Sequence, residues 1–183
     1  MEKCIVLFSG GIDSTACIKY YLDQKFTVKP VFINYGQISA KYELQSAQKI
    51  VSFYNINLET FDLKLVQNFS HGEITGRNAF LILSALLCYP KFSGILSLGI
   101  HADVPYYDCS ELFFDDIQRL LNGYSHGQVH LDTPFLQWDK KIIYEYCKHN
   151  NVPIDLTYSC ENGTAKPCGV CSSCRDRRAL NVS

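Results

Sequence analysis

Two short stretches of this 183-residue chain carry residue types whose spacing could do chemistry. Ser9-Gly10-Gly11-Ile12-Asp13-Ser14 follows the apolar run Lys3 to Phe8 and leads into a helix-like segment from about Asp13. Two glycines let backbone amides approach an anion closely, a helix N-terminus adds partial positive charge, and Ser9 and Ser14 add hydroxyl donors. Phosphate is the natural guest of such a turn. The turn has no lysine, so it is not the GxxxxGK(S/T) cradle, and GxGxxG is also absent, which argues against dinucleotide binding. At the other end, Cys160, Cys168, Cys171 and Cys174 are spaced C-x7-C-x2-C-x2-C. Four thiolates fit tetrahedral zinc and leave no position for water or substrate, so such an ion would be structural. An iron–sulfur cluster uses the same ligands, and a CxxC pair can also handle sulfur.

The elements that would hold these residues alternate. Lys3–Phe8 and Gly94–Ile100 read as buried strands, as does Thr27–Asn34 despite Pro30. Ile56–Phe61 and Gln128–Leu131 complete five strands. Helices are expected from about Asp13, over Ser39–Tyr54, Arg77–Tyr89 and Ser110–Leu121, and over Lys140–Lys148 after the N-cap Asp139. Alternation of this kind predicts an α/β fold: a doubly wound, mostly parallel five-stranded sheet covered on both faces. Ligands of such sheets bind at the carboxyl ends of the strands, where the phosphate turn falls. The composition changes near Ser159, so residues 1–159 are expected to form one α/β domain, with 160–183 a cysteine-bearing segment packed on it.

The remaining composition narrows the function classes. Apolar residues make up 47% and charged residues 19%, a soluble balance, and the longest nearly apolar run, Ala79 to Tyr89, is too short to cross a bilayer. The N-terminus has no export-type segment, which predicts a cytoplasmic protein with reduced cysteines. Of the nine cysteines, Cys4, Cys17, Cys88 and Cys147 lie in apolar or amphipathic runs and read as packing residues. The net charge of −1 argues against a broad nucleic-acid surface.

SGGxDS between strand and helix resembles the signature of PP-loop ATP pyrophosphatases, which release pyrophosphate and leave AMP on a carbonyl or carboxylate oxygen. The resemblance implies ATP as co-substrate, bound by Ser9, Gly10, Gly11, Ile12, Asp13 and Ser14, with Asp13 facing Mg²⁺. A carboxylate beside a triphosphate repels it unless a cation lies between them. The two motifs together resemble the 7-cyano-7-deazaguanine synthase (QueC) family. Tyr35-Gly36-Gln37, Arg77-Asn78 and Asp108-Cys109 occur in that family's order. So do Leu156-Thr157-Tyr158-Ser159-Cys160 and Lys166-Pro167-Cys168-Gly169, with Tyr158 in place of the usual Trp. The resemblance implies adenylation of the carboxylate of 7-carboxy-7-deazaguanine, attack by ammonia to give the amide, and a second activation that yields the nitrile. It makes Asp13, Arg77 and Asn78 the catalytic candidates, with Tyr35, Gln37 and Lys166 at the nucleotide. Tyr106, Tyr107 and Asp108 would meet the deazaguanine ring, the four cysteines would hold zinc, and the protein would be a homodimer. His71 and His101 are the histidines nearest these segments, and His101 could carry a proton.

Two segments depart from the family pattern. Asp62 to Gly76 is short and ends Ile-Thr-Gly-Arg-Asn where Pro-Ala-Arg-Asn is usual. Gly99 to Cys109 is also short and lacks the Tyr-Ser-Gly-Tyr-Pro-Asp-Cys form. A short QueC-like protein with a more open site could use a larger amine than ammonia. The alternative reading is therefore a ligase joining the activated carboxylate to an amine on a protein, as in bacterial antiviral defence operons. A tRNA thiolase would need an RNA surface, which thirteen basic against sixteen acidic residues before Cys160 do not suggest. An inactive zinc-bearing interaction module is disfavoured by the intact Ser9, Asp13 and Arg77.

Overall fold

A computed structural model of the chain describes residues 2–63, 69 and 72–180. His71 and part of the shortened segment before Arg77 lie outside the described residues. The strands are β1 (Lys3–Leu7), β2 (Thr27–Asn34), β3 (Glu59–Asp62), β4 (Gly94–Leu98) and β5 (Val129–Asp132). Helices α1 (Ile12–Asp23), α2 (Ala40–Tyr54), α3 (Arg77–Cys88), α4 (Glu111–Ser125) and α5 (Lys140–His149) alternate with them, and α6 (Ser172–Ala179) follows. The strands form one sheet in the order β3-β2-β1-β4-β5, and every pairing is parallel.

Alternate residues of β1 build two cores. Cys4 and Val6 pack with α1, α2 and α5 through Ile18, Tyr21, Ile50 and Ile143, all essentially buried. Ile5 and Leu7 pack on the opposite face with α3 and α4 through Ile82, Phe113, Ile117 and Leu121. Winding out from β1 in both directions opens a crevice between its carboxyl end and that of β4. The phosphate turn lies at this crevice.

Several boundaries differ from the expected ones for local reasons. Pro30 is tolerated inside β2 because Val31 O points to β1, where it accepts from Phe8 N at 2.8 Å. The Pro30 nitrogen therefore faces the other edge, where β3 pairing begins only at Val31. Asn55 ends α2 in a left-handed conformation with φ 53°, and the chain through Ile56 and Leu58 packs on the core before β3 starts at Glu59. Helix α4 outlasts its apolar stripe and ends at Ser125, with His126 at φ 52°. Helix α6 has no apolar periodicity to announce it.

The turn after β1 needs its glycines. Gly10 has φ 77°, and a Cβ there would lie 2.8 Å from Glu43 O and 2.9 Å from Ala47 N, both backbone atoms of α2. Gly10→Ala is therefore expected to cost about 2–4 kcal/mol through strain and overlap. In thermal unfolding this should appear as a fall of roughly 10 °C. An unchanged melting temperature would show that the turn is not clamped against α2.

Candidate active site: a phosphate turn facing a cysteine-bearing wall

Gly11 is the N-cap of α1, and no side chain caps that helix. The first helical N–H groups are thus left for a ligand, and they carry the positive end of the helix dipole. The turn itself is fixed from behind. Gly10 O accepts from Tyr158 N at 3.0 Å and from Ser46 Oγ at 2.9 Å, while Gly11 O accepts from Thr15 N at 3.0 Å and Thr15 Oγ1 at 2.7 Å. Ser9 Oγ accepts from Gly11 N at 3.3 Å and lies 3.3 Å from Ser14 Oγ. The result is a rigid loop with inward N–H and hydroxyl groups, suited to tetrahedral anions.

A cavity of about 630 Å³ opens over this turn. Ser9, Gly11, Ile12, Asp13 and Ser14 line one side of it, and Tyr35 and Gln37 after β2 line another. Arg77 and Asn78, at the start of α3, and Tyr106 complete the expected residues on its wall. Gly10 supports the turn from behind. Asp108 is not on the wall: its carboxylate accepts from Asn78 N at 3.3 Å and its main-chain oxygen from Asn78 Nδ2 at 2.9 Å. It therefore positions Asn78, whose Oδ1 accepts from Arg77 Nε at 3.2 Å. Tyr107 is 57% exposed and donates to Asp116, and Lys166 is exposed and does not line the cavity.

Topology brings in residues the motifs do not name. Lys140 Nζ, on the first residue of α5, pairs with Asp13 Oδ2, while Asp13 Oδ1 is buried with no hydrogen-bond partner. A buried carboxylate oxygen without a donor fits a cation. Glu43 of α2 lines the cavity and accepts from Ser39 Oγ at 2.6 Å and Gln37 Nε2 at 3.0 Å. Burial raises its pKa, against those two donors and Arg77. His101 is buried in the loop after β4, and that loop runs close against α1: a Cβ on Gly99 would lie 2.9 Å from Asp13 C and Ser14 N.

The far wall is the cysteine segment. Cys160, Cys168, Cys171 and Cys174 bring their ligand atoms within 4.8 Å of one another. Backbone N–H groups of Val170 and Cys171 point at Cys168 Sγ from 3.5 and 3.4 Å, and these donors lower its pKa. Burial pushes Cys174 the other way, to about 12. Four thiolates at this spacing need a cation between them, so the donor set suits a bound metal. This segment reaches the cavity through Glu161, Asp176 and Arg177, and Tyr158 and Ser159 just before it line the same wall. Glu161 accepts from Ser172 Oγ at 2.6 Å and Ser173 N at 3.0 Å at the start of α6, and Arg177 Nη1 donates to Thr157 Oγ1 at 2.7 Å.

A family model described as "Queuosine biosynthesis protein QueC" matches residues 3–82 and 74–181, nearly the whole chain. The chain belongs to the QueC family. The 7-cyano-7-deazaguanine synthase of Acetivibrio thermocellus is 29% identical over 202 aligned positions, which cover 95% of this chain and 90% of that protein. That of Prochlorococcus marinus (strain NATL2A) is 32% identical over 207 positions, covering 94% and 90%. Both aligned spans exceed the 183 residues of this chain, so these QueC relatives carry stretches that it lacks. The two pieces of the QueC match meet at residues 74–82, beside the shortened segment before Arg77. Among solved structures, NMN synthetase from Francisella tularensis superposes with a TM-score of 0.58 at 12% identity, covering 100% of this chain and 73% of that one. The U34-tRNA thiolase NcsA from Methanococcus maripaludis, solved with its 4Fe-4S cluster, gives 0.51 at 13% identity over 83% and 58%. These two likenesses are of fold. No helix among the described residues is long and apolar enough to cross a membrane.

Proposed function

We propose that this QueC-family chain uses ATP to adenylate the carboxylate of 7-carboxy-7-deazaguanine and passes the acyl group to ammonia. A second activation of the resulting amide then gives 7-cyano-7-deazaguanine. The observation that carries this reading is the uncapped α1 N-terminus opening, beside Asp13, into a cavity that Arg77 and Asn78 also line.

A carboxylate is a poor electrophile, because its leaving group would be an oxide. Transfer of AMP to one of its oxygens provides a good leaving group and releases pyrophosphate. The amides at the start of α1 and the hydroxyls of Ser9 and Ser14 hold the phosphate chain, and Lys140 offsets its charge. Arg77, on the cavity wall, would bind the acid bidentately through its terminal nitrogens, and Asn78, held by Asp108, would orient an oxygen beside it. Tyr35, Gln37 and Tyr106 are the flanking surfaces for base and ring. The orphaned Asp13 Oδ1 would hold Mg²⁺, which when bound neutralises the departing phosphates. The four cysteines would hold zinc: sulfurs 2.3 Å from one tetrahedral ion lie about 3.8 Å apart, within the observed cluster. An iron–sulfur cluster would spread its thiolates further, since metal–metal separation adds to the metal–sulfur bonds. The ion has a structural role, with 160–183 a segment packed on the 1–159 domain.

The stretches missing relative to longer QueC proteins favour one second reading, in which the acyl acceptor is an amine on a protein. One experiment separates the two. Incubation with ATP, Mg²⁺ and 7-carboxy-7-deazaguanine, with ammonia or a candidate protein as acceptor, is followed by mass spectrometry. The first reading predicts AMP with amide and then nitrile; a mass-shifted acceptor protein instead supports the second. Absence of AMP with both acceptors would reject adenylation itself. The expected homodimer is checked by the mass measured in light scattering.

A further inference from the structure

The loop after β4 brings an imidazole to the phosphate end of the cavity. His101 is 9% exposed and lines the cavity. Its Nδ1 accepts from Asp103 N at 3.3 Å, which assigns the hydrogen of the neutral ring to Nε2. That Nε2–H has no acceptor among the described residues. Nor is it sealed in the core, since the ring reaches the cavity surface. The groups that face the ring are Asp13 of α1, Lys140 of α5, Asp103 of its own loop and Asp176 of α6.

We propose that His101 is a catalytic hydrogen-bond donor to the nucleotide: its neutral Nε2–H binds a non-bridging phosphate oxygen of the departing pyrophosphate. This deepens, and rests on, the adenylation reading above. The position follows from the close packing of Gly99 against Asp13 and Ser14, which sets His101 beside the residues that open the phosphate turn. The chemistry follows from the tautomer. A protonated ring would exchange the Asp103 N–H bond for a long contact to the same residue's carboxylate, 3.9 Å away, whereas the neutral ring keeps that bond and still offers one donor. Burial favours the neutral form and Lys140 assists it, while Asp13, Asp103 and Asp176 oppose. No proton is transferred: as the bond between the α-phosphorus and the bridging oxygen breaks, its electron pair passes to the pyrophosphate. The fixed N–H then meets an oxygen whose negative charge is rising. A preorganised donor of this kind acts on kcat more than on binding.

The test compares wild type with His101→Ala and His101→Gln, the second retaining an N–H donor at similar reach. If His101 donates to pyrophosphate, His101→Ala lowers kcat for AMP formation about 10²-fold with KM for ATP within about threefold, and His101→Gln recovers most of the loss. Equal melting temperatures for the three proteins would exclude a folding effect. Independently of any deazaguanine, ¹⁵N-histidine spectra of the wild type are recorded with and without magnesium pyrophosphate. The five histidines are told apart by the His101→Gln spectrum, and the His101 Nε2 resonance should shift on binding. An AMP-forming enzyme that loses less than about threefold on His101→Ala would overturn the proposal. If the wild type forms no AMP, the adenylation reading fails separately and the spectra decide: a static His101 resonance, or no pyrophosphate binding, rejects the donor role.

Discussion

Asp13→Ala is expected to lower AMP formation by about 10³-fold or more while leaving the melting temperature within a few degrees of wild type. The two halves of this expectation come from different oxygens of one carboxylate. Oδ2 pairs with Lys140, and both side chains are 20% exposed; Lys140 stays on the wall of the open cavity when the carboxylate is removed, so losing that pair costs about 1–2 kcal/mol. Oδ1 is buried without a donor, so the native state gains nothing from it as a hydrogen-bond acceptor. Its value lies in the nucleotide complex, where it would hold a cation against the phosphate chain. Steady-state AMP release and differential scanning calorimetry on the same preparation check both halves. Undiminished AMP release would move the magnesium site elsewhere, and a large loss of stability would make Asp13 a structural residue.

Removing the metal proposed for the four cysteines should have the second large effect, on nucleotide binding as well as on stability. Chelation, or Cys171→Ser with the metal content measured alongside, is expected to lower the melting temperature by about 10 °C. It should also weaken ATP binding by at least about tenfold at a temperature where the α/β body remains folded. The link is physical. Tyr158 N–H bonds to Gly10 O, and Ser46 Oγ bridges Gly10 O and Leu156 O at 2.9 and 2.6 Å. Gly163, with φ 60°, packs so closely on Ile38 that a Cβ would lie 2.4 Å from its carbonyl oxygen. Tyr158 also stacks on Tyr42. The approach to the cysteine segment, Leu156 to Tyr158, therefore braces the turn, and the segment it leads into walls the cavity. Calorimetric titration of ATP into the metal-free protein reads this directly, and an affinity within twofold of the metal-bound value would confine the metal to local folding.

The features legible in the sequence were those carried by contiguous residues. Gly10-Gly11 after an apolar run implied a tight strand-to-helix turn, and the structure gives a reason in the approach of α2 to Gly10. Alternating strand and helix patterns implied the parallel sheet, and the spacing of the cysteines implied that their sulfurs converge. What could not be read depended on long-range assembly. Lys140 and Asp13 are 127 residues apart, and the available cue was positional: Lys140 follows the N-cap Asp139, at the sheet edge where ligands bind. Glu43 looked like an ordinary polar residue of an amphipathic helix until β2 and α2 folded it inward beside Gln37 and Ser39. The family's order makes Asp108 a ring contact. A short 3-10 turn at Tyr107–Cys109 instead aims its carboxylate at the start of α3 and sends Tyr107 outward. Helix α6 is almost wholly polar, and what orders it is the cysteine cluster, Glu161 at its first turn and the Arg177–Thr157 bond.

The central claim, that ATP activates a carboxylate oxygen of the substrate, has a direct isotopic test. 7-Carboxy-7-deazaguanine carrying ¹⁸O in both carboxylate positions is turned over with unlabelled ATP, Mg²⁺ and ammonia, and the nucleotide product is weighed by mass spectrometry. Adenylation predicts AMP bearing one ¹⁸O and an amide retaining the other. Unlabelled AMP, or ADP with labelled phosphate, would contradict it.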